Sequence, residues 1–411
     1  MSLTTSCNTP PARRRVCVIA FSHIHVDGRV LRQARGLARD FDVTVCGFGA
    51  DPFAAAEGIT WRELPQNRWE NFGLYPLKQL ALLPGLVFPG CLKCCDAVHT
   101  CWRAAHRIVR EGAFDAVVCN DTETMLLGIE AKRLRPATKI VLDLHEYATR
   151  ESDLSSLPLR KRLKASCLQL PMRRRLLRHF SPQFDAVMTV NDVFADLYPE
   201  EFGMKKPVVV MNAPDLPPSL PDAGASNGNI HFIHHGGLGR YREPERMIRA
   251  VGLCPPQYRL HFMFGNQDPE LVAELQAEAV RFAPGRVEFH PPVKPAAVPA
   301  AIARFDAGLY ILPPKSFNDE HALPNKFFDF IVAGLALAIS PNPCMASIVR
   351  RYEVGVVADD YTPEAMAAAM QTLTPERIAD CRAASREART VLNGATEVDK
   401  VRALVRGLFQ V

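Results

Sequence analysis

Short apolar runs alternate with stretches of helical period along almost the whole chain, and this alternation limits the fold more than any other feature. Residues 15–21 (RVCVIAF) form an apolar run of strand length, as expected for a parallel strand buried on both faces. After it Val30, Leu31, Ala34, Leu37 and Ala38 recur at helical spacing, which predicts a helix from about Gly28 to Asp40. Residues 41–48 return to a strand pattern. Strand, crossover helix and second strand make a βαβ unit, the start of a doubly wound sheet. Further strands are expected at 59–64, 114–120, 139–144, 184–190 and 207–211. Residues 212–229 (NAPDLPPSLPDAGASNGN) then lose all apolar period and read as a linker. The alternation resumes beyond it, with strands expected at 230–235, 258–264, 286–290, 305–312, 335–340 and 354–358.

A chain of 411 residues has room for two such domains. The expected division is a disordered tail at 1–14, a first domain at 15–211, the linker at 212–229, a second domain at 230–390 and a final helical segment at 391–411. A hydrophobic fraction of 48% with 23% charged residues fits a soluble globular enzyme. No stretch has 18 uninterrupted apolar residues, which argues against a transmembrane helix. The twelve cysteines are scattered, and Cys17, Cys46 and Cys119 fall inside expected strands. Reduced thiols in a cytosolic protein suit this better than a disulfide framework. Cys91, Cys94, Cys95 and Cys101 cluster at a spacing that allows a metal site, with no second CxxC to support one. Residues 68–110 are rich in Leu, Phe, Trp and Cys and are interrupted by Pro76, Pro84 and Pro89; burial is the favoured reading, a membrane-touching surface the other.

Polar residues collect where a doubly wound sheet binds ligands, beyond the C-terminal ends of its strands. Asn120 and Asp121 follow one expected strand, and His145 and Glu146 follow the next. The turn after the first strand contains Gly28 but no GxGxxG, which counts against an NAD or FAD enzyme. In the second half, Gly236-Gly237-Leu238-Gly239 follows a strand and precedes a helix expected at 243–251, with Arg240 and Arg242 alongside. Such a turn exposes backbone N–H groups to a phosphate, and the arginines add guanidinium forks. Residues 320–334 (EHALPNKFFDFIVAG) read as loop and helix, with Pro324 in the first turn. Lys326 places a cation near a helix N-terminus, which is unfavourable alone and sensible if a phosphate lies between. Asp329, one turn on, can accept hydrogen bonds from a neighbouring hydroxylated group. The alternative is an ordinary i,i+3 Lys–Asp pair on the surface.

Residues 154–184 hold eight Lys/Arg and no Asp or Glu, interleaved with leucines. A basic amphipathic segment of this kind suits an anionic membrane surface, the alternative being a solvated helix packed on its domain. No aromatic stacking platform or recognised motif accompanies the charge, so nucleic acid is not expected as a partner.

The segment LPNKFFDFIVAGLALAIS resembles the "PNKLFEYMAAGLPVV" segment of retaining glycosyltransferases of family 4 and their relatives. Asp27, Arg29, Val30 and Leu31 match the family's "DPRVLREA", residues 143–146 its "D-x-H-E", and Gly236 to Arg242 its "GGLxxxRG". The resemblance implies an α/β chain of GT-B fold, two Rossmann-like doubly wound domains facing a central cleft, with the last helix packed back on the first domain. It implies donor binding by Gly237, Arg242, Gly265, Glu320, His321, Asn325, Lys326 and Asp329. It places Asp27, Arg29, Asn120, Asp121 and Glu146 on the acceptor side, and His145, Arg242 and Lys326 at the reacting centre. Two departures stand out: Asp329 replaces the family's Glu, and His321 stands where many members carry a second Glu, with Glu320 one place off. The implied reaction transfers a sugar from a nucleoside diphosphate sugar to a glycan or lipid-linked acceptor with retention, in cell-surface polysaccharide assembly. No cofactor and no metal are expected. The expected location is cytoplasmic, peripheral on the inner face of the membrane. A sugar-nucleotide epimerase of the same fold and a non-catalytic nucleotide-sugar binder are the rival readings.

Overall fold

The computed structural model describes residues 13–66, 99–150, 159–221, 228–237, 239–264 and 268–410. Gly265, the cysteines at 91, 94 and 95, residues 1–12 and 154–158, and most of the Leu-rich stretch at 68–110 lie outside them. Two parallel sheets organise the rest. The first has seven strands in the order β3-β2-β1-β4-β5-β6-β7. These are β1 (Arg15–His23), β2 (Asp42–Phe48), β3 (Thr60–Glu63), β4 (Ala116–Asn120), β5 (Lys139–Leu144), β6 (Ala186–Thr189) and β7 (Val208–Val209). The second has six in the order β10-β9-β8-β11-β12-β13. These are β8 (Ile230–Gly236), β9 (Tyr258–Phe264), β10 (Val287–His290), β11 (Ala307–Tyr310), β12 (Ala336–Ile339) and β13 (Gly355–Val357).

Both orders reverse direction once, between β1 and β4 in the first sheet and between β8 and β11 in the second. A crevice opens at each reversal, beyond the strand C-termini. The central strands are apolar on both faces: Val16, Cys17, Val18 and Ile19 of β1 have no exposed surface. Helices must therefore cover both sides, and the crossovers supply them.

The helix Gly28–Ala38 follows β1 and is capped by Asp27, whose carboxylate accepts from the N–H of Val30 at 3.1 Å and from the hydroxyl of Ser22 at 2.7 Å. The last helix, Gly394–Gly407, lies against it. Gly36 permits the contact, because a Cβ there would come within 2.3 Å of Val398. Arg402 reaches Asp40 at 2.8 and 3.1 Å, and Glu397 accepts from the N–H of Met211 at 2.8 Å. The C-terminal segment thus ties the second half of the chain to the first domain.

The helix Asn325–Val332 is buried along nearly its whole length; Phe327, Phe328, Phe330, Ile331 and Val332 are fully enclosed. Pro324 precedes the first helical residue instead of occupying the first turn. Gly334, at φ +72°, ends the segment in a left-handed turn that only glycine adopts freely, and leads into β12. Phe330 packs on Gly308 of β11 so closely that a Cβ there would lie 2.3 Å from the ring. Gly308→Ala should therefore destabilise the chain by about 1–3 kcal/mol through overpacking. Urea unfolding checks this, and Phe330→Leu in the same chain should return part of the loss.

Candidate active site

The second-domain crevice is built from the ends of β8 and β11 and the start of the helix Asn325–Val332. Lys326, at the second position of that helix, points inward and is 6% exposed. Its Nζ lies 3.0 Å from Nε2 of His234 and 4.8 Å from the ring centre of Tyr310. The other nitrogen of His234 is 2.9 Å from the carbonyl of Leu309. Nδ1 therefore donates to that carbonyl, Nε2 accepts from the lysine, and the imidazole is neutral. Burial and the charge of Lys326 both hold His234 well below its ordinary pKa. Lys326 is in turn held well below the usual lysine range, by burial first and by Arg242 next, with Asp329 opposing. An ammonium enclosed beside a guanidinium is short of negative charge.

Arg242 lies in the turn after β8 and donates through Nε to the hydroxyl of Tyr241 at 2.7 Å. Its charge reaches both Lys326 and Tyr310 and pulls the pKa of each downward, against burial at Tyr310. The backbone here is made for close approach: Gly236 sits at φ +93° with Lys326 under its Cα, and Gly237 opens to free space. A 3-10 turn, Arg240–Arg242, intervenes before the next helix, which begins at Glu245.

Among the described residues, two buried polar atoms in this crevice have no hydrogen-bond partner, the hydroxyl of Tyr310 and Nε2 of His235. Such atoms cost free energy unless something satisfies them. His235 Nε2 lies 3.5 Å from a carboxylate oxygen of Asp329. Burial pushes Asp329 up to about 7, against the pull of Arg32 and Lys326. The same burial, with Lys326, lowers His235 to about 3. Asn325 opens the helix and is exposed, whereas Lys326 and Asp329, one turn apart, are buried. Glu320 is half-exposed, whereas His321 turns towards the first domain. Its Nδ1 contacts the carbonyl of Phe317 at 3.0 Å, and its ring faces Phe194.

The first-domain crevice is a cavity of about 460 Å³ beyond β1, β4 and β5, bordered by Ser22, Asp27, Asn120, Asp121, His145 and Glu146, with Glu123 and Arg173 on its wall. His145 Nε2 lies 3.1 Å from Oδ1 of Asn120 and 3.6 Å from Asp143; Nδ1 is 3.4 Å from Asp121. Burial would lower its pKa, but the two carboxylates outweigh burial and raise it. Asp121 is pushed upward by burial and stands at φ +62°, a strained position for a non-glycine residue, while its carboxylate accepts from the N–H of His145. Arg29 faces away from the cavity. Its guanidinium grips Asp143 at 2.5 and 2.9 Å and the carbonyl of Val210 at 2.5 Å. Against the effect of burial, Arg29 and His145 keep the Asp143 carboxyl well below the ordinary range.

The two crevices face each other across a bridge. The short helix Phe317–Glu320 inserts Phe317 beside Tyr147 and Phe194, at ring separations of 5.3 and 5.9 Å. Asn318 accepts from the N–H of Tyr147 at 2.8 Å, and Asn191 donates to the carbonyl of His321 at 2.9 Å. The site also includes residues the sequence reading passed over. His234, His235 and Tyr310 looked like strand interior. Ser22 and Glu123 carried no motif, and Arg173 belongs to the basic segment expected at a membrane surface but pairs with Glu123 on the cavity wall instead. Arg32, whose charge reaches Asp27, Asp215 and, across the domains, Asp329, could have been found from its place one turn after Gly28.

Residues 26–214 match the family described as glycosyl transferase 4-like domain. The whole chain is similar in fold to several solved structures. The crystal structure of Anabaena HepE in complex with UDP-glucose superposes with a TM-score of 0.65 at 14% identity, covering 97% of this chain and 100% of that one. Sucrose-phosphate synthase from Thermosynechococcus elongatus gives 0.69 at 14%, with 97% and 100% covered. WaaG, a glycosyltransferase involved in lipopolysaccharide biosynthesis, gives 0.65 at 13%, with 95% and 100% covered. No curated protein sequence matches the chain.

The raised Asp329 makes a pH prediction. A carboxyl with a folded pKa near 7 and an unfolded one near about 4 binds more protons when folded. Its stabilising effect is complete below about pH 4 and is lost as pH rises through about 7. Asp329→Asn should therefore raise the melting temperature of the ligand-free protein more at pH 8 than at pH 4.5. Thermal unfolding at both values checks it; an equal gain at both would reject the assignment.

Proposed function

We propose that this chain, a GT-B protein with a glycosyl transferase 4-like domain over residues 26–214, moves a sugar from a nucleoside diphosphate sugar to an acceptor hydroxyl with retention of anomeric configuration. The single observation that carries the reading is the pair of crevices described above: a cationic one with unsatisfied polar atoms in the second domain, opposite an acidic one in the first. The first suits a diphosphate. The second suits a hydroxylated acceptor, because carboxylates and the His145 ring can hold sugar hydroxyls.

As the bond to the leaving diphosphate breaks, negative charge grows on its oxygens. Arg242 and Lys326 are already fixed where that charge develops, so little reorganisation is needed. The N-terminus of the helix Asn325–Val332 and the exposed backbone at Gly237 add donors. No metal is invoked for this step. Tyr310 and His235 would gain the partners they lack. Asp329 would accept from ribose hydroxyls, and the half-exposed Glu320, at the end of the short helix Phe317–Glu320, would lie towards the donor's sugar or base. His145, poised between Asn120 and Asp121, would orient the transferred sugar or the acceptor. The leaving phosphate itself would take the acceptor's proton, which agrees with a site offering no separate nucleophile.

The basic segment supports a lipid-linked or surface glycan acceptor. Leu159 and Leu163, one turn apart and 70% and 52% exposed, stand among Arg160 and Arg162. Such leucines on a cationic face suit an anionic bilayer. Arg173 plays another part, pairing with Glu123 at 2.6 Å on the cavity wall. Among the described residues no helix is long and apolar enough to cross a membrane.

HepE's capture with UDP-glucose makes uridine diphosphate sugars the first donors to try. Lys326→Ala and Arg242→Ala should each weaken donor binding by roughly 1.5–3 kcal/mol, the worth of a charge-assisted hydrogen bond, about 10- to 150-fold. Because the free Lys326 amine has a depressed pKa, donor binding should also take up protons in the wild type and fewer in Lys326→Ala. Calorimetry in two buffers of unlike ionisation enthalpy reads both. Unchanged affinity in both variants would reject the clamp; binding without turnover in the presence of acceptors would leave a binding role in place of catalysis.

For the membrane, replacing Arg160, Arg162, Arg174 and Arg175 by Gln should reduce sedimentation with vesicles containing anionic phospholipid while leaving the melting temperature unchanged. Equal sedimentation would assign the segment to ordinary solvated surface.

A further inference from the structure

A second cluster of ligating side chains lies outside the cleft, on β9 and the edge strand β10. His261 and Glu288 are paired across the two strands, and His290 follows two residues after Glu288 on the same face. His261 Nδ1 is 3.0 Å from His290 Nε2 and 3.4 Å from Glu288 Oε2, and His290 Nε2 is 3.8 Å from the same oxygen. We propose that these three side chains form a binding site for a divalent transition-metal ion of the zinc type.

The distances carry the proposal. Ligand atoms about 2.0–2.1 Å from a tetrahedral ion stand roughly 3.4 Å from one another, and the three separations bracket that value. A local three-ligand set of this kind leaves a fourth position open to water, since Glu288 is exposed and His290 only half-buried. Two imidazoles and one carboxylate favour zinc, cobalt or ferrous ion over magnesium or calcium, which prefer oxygen ligands alone.

The surroundings orient the set. The remaining nitrogen of His261, Nε2, lies 2.8 Å from Nδ1 of His231. A hydrogen bond there fixes the His261 ring and leaves its Nδ1 lone pair directed at the site. The ring of Phe305 packs 4.7 Å from His261 and 6.0 Å from His290, forming an apolar floor. Burial and the cationic neighbours Arg304 and Arg259 favour neutral imidazoles, which is the ligating form, although those arginines also repel a cation. Glu288 supplies the one opposing charge. Without metal a single proton is shared between His261 Nδ1 and His290 Nε2. On binding, His290 carries it on Nδ1 instead, so two lone pairs face the ion and no net proton leaves the pair. The ion would join the edge strand β10 to the body of the sheet.

The test uses the full chain, stripped with chelator and titrated with Co²⁺ and separately with Zn²⁺, with Mg²⁺ as control. The wild type should bind one equivalent of Co²⁺ at this site with visible absorption of a low-coordinate ion, and Zn²⁺ should displace it and raise the melting temperature. His290→Ala and Glu288→Ala, both at accessible positions, should weaken that equivalent by at least tenfold and abolish the thermal shift. Binding that is the same in the wild type and both variants would place the metal elsewhere, for instance on cysteines, and would overturn the proposal. An absence of saturable binding in the wild type would overturn it as well.

Discussion

Charging a lysine that is shut away from water, with an arginine for a neighbour, is costly, and burial and Arg242 hold the Lys326 amine well below the usual lysine range. Removing a charge of this kind from water costs several kcal/mol unless partners repay it. Here the repayment without ligand is small: one imidazole nitrogen, the face of Tyr310, and the field of Asp329. The helix bearing Lys326 can impose such a position because its other side chains, Phe327 through Val332, anchor it in the core. Hydrophobic burial supplies the free energy, and the site holds the strain.

The first domain resolves its buried charge differently. Arg29 and Asp143 are fully matched to each other, with Gln33 and the carbonyl of Val210 completing the network. Nothing in that arrangement asks for a ligand. It instead holds the helix Gly28–Ala38, β5 and the chain leaving β7 in one register, and so fixes the floor of the acidic cavity. Asp121 and His145 stand on that floor with incompletely matched charge. The Arg29–Asp143 pair below is enclosed, whereas the Asp121–His145 pair above borders the cavity.

The alternation of strand and helix was plain in the sequence because period-2 and period-3.6 patterns each require particular burial, and both sheets lie where that alternation put them. The GT-B architecture was legible through resemblance alone, because the segment around Lys326 is similar to a family segment, whereas its residue chemistry by itself also fits an ordinary Lys–Asp pair. Side-chain direction was not. Arg29 and Asp27 sit two residues apart on one motif, yet Asp27 borders the cavity and Arg29 turns inward, a choice made by Asp143 more than a hundred residues away. His234, His235 and Tyr310 were read as apolar strand because strand ends and strand interiors share a composition. His321 stood at a family position for an acid, and its ring instead joins Phe317 at the domain boundary.

The backbone crosses between the domains twice, once after β7 and once before the last helix, and the crossings touch where the N–H of Gly394 donates to the carbonyl of Pro214 at 2.7 Å. A Cβ at position 394 would strike Asp215 at 2.3 Å, so the contact admits glycine alone. Two strands of chain pinned together at one point make a pivot. The opposite rim is fastened by Phe317 and Asn318, which stand in the short helix that precedes the helix bearing Lys326. A swing about the pivot would therefore carry the start of the helix Asn325–Val332 with it, which couples the relative setting of the two domains to the position of Lys326.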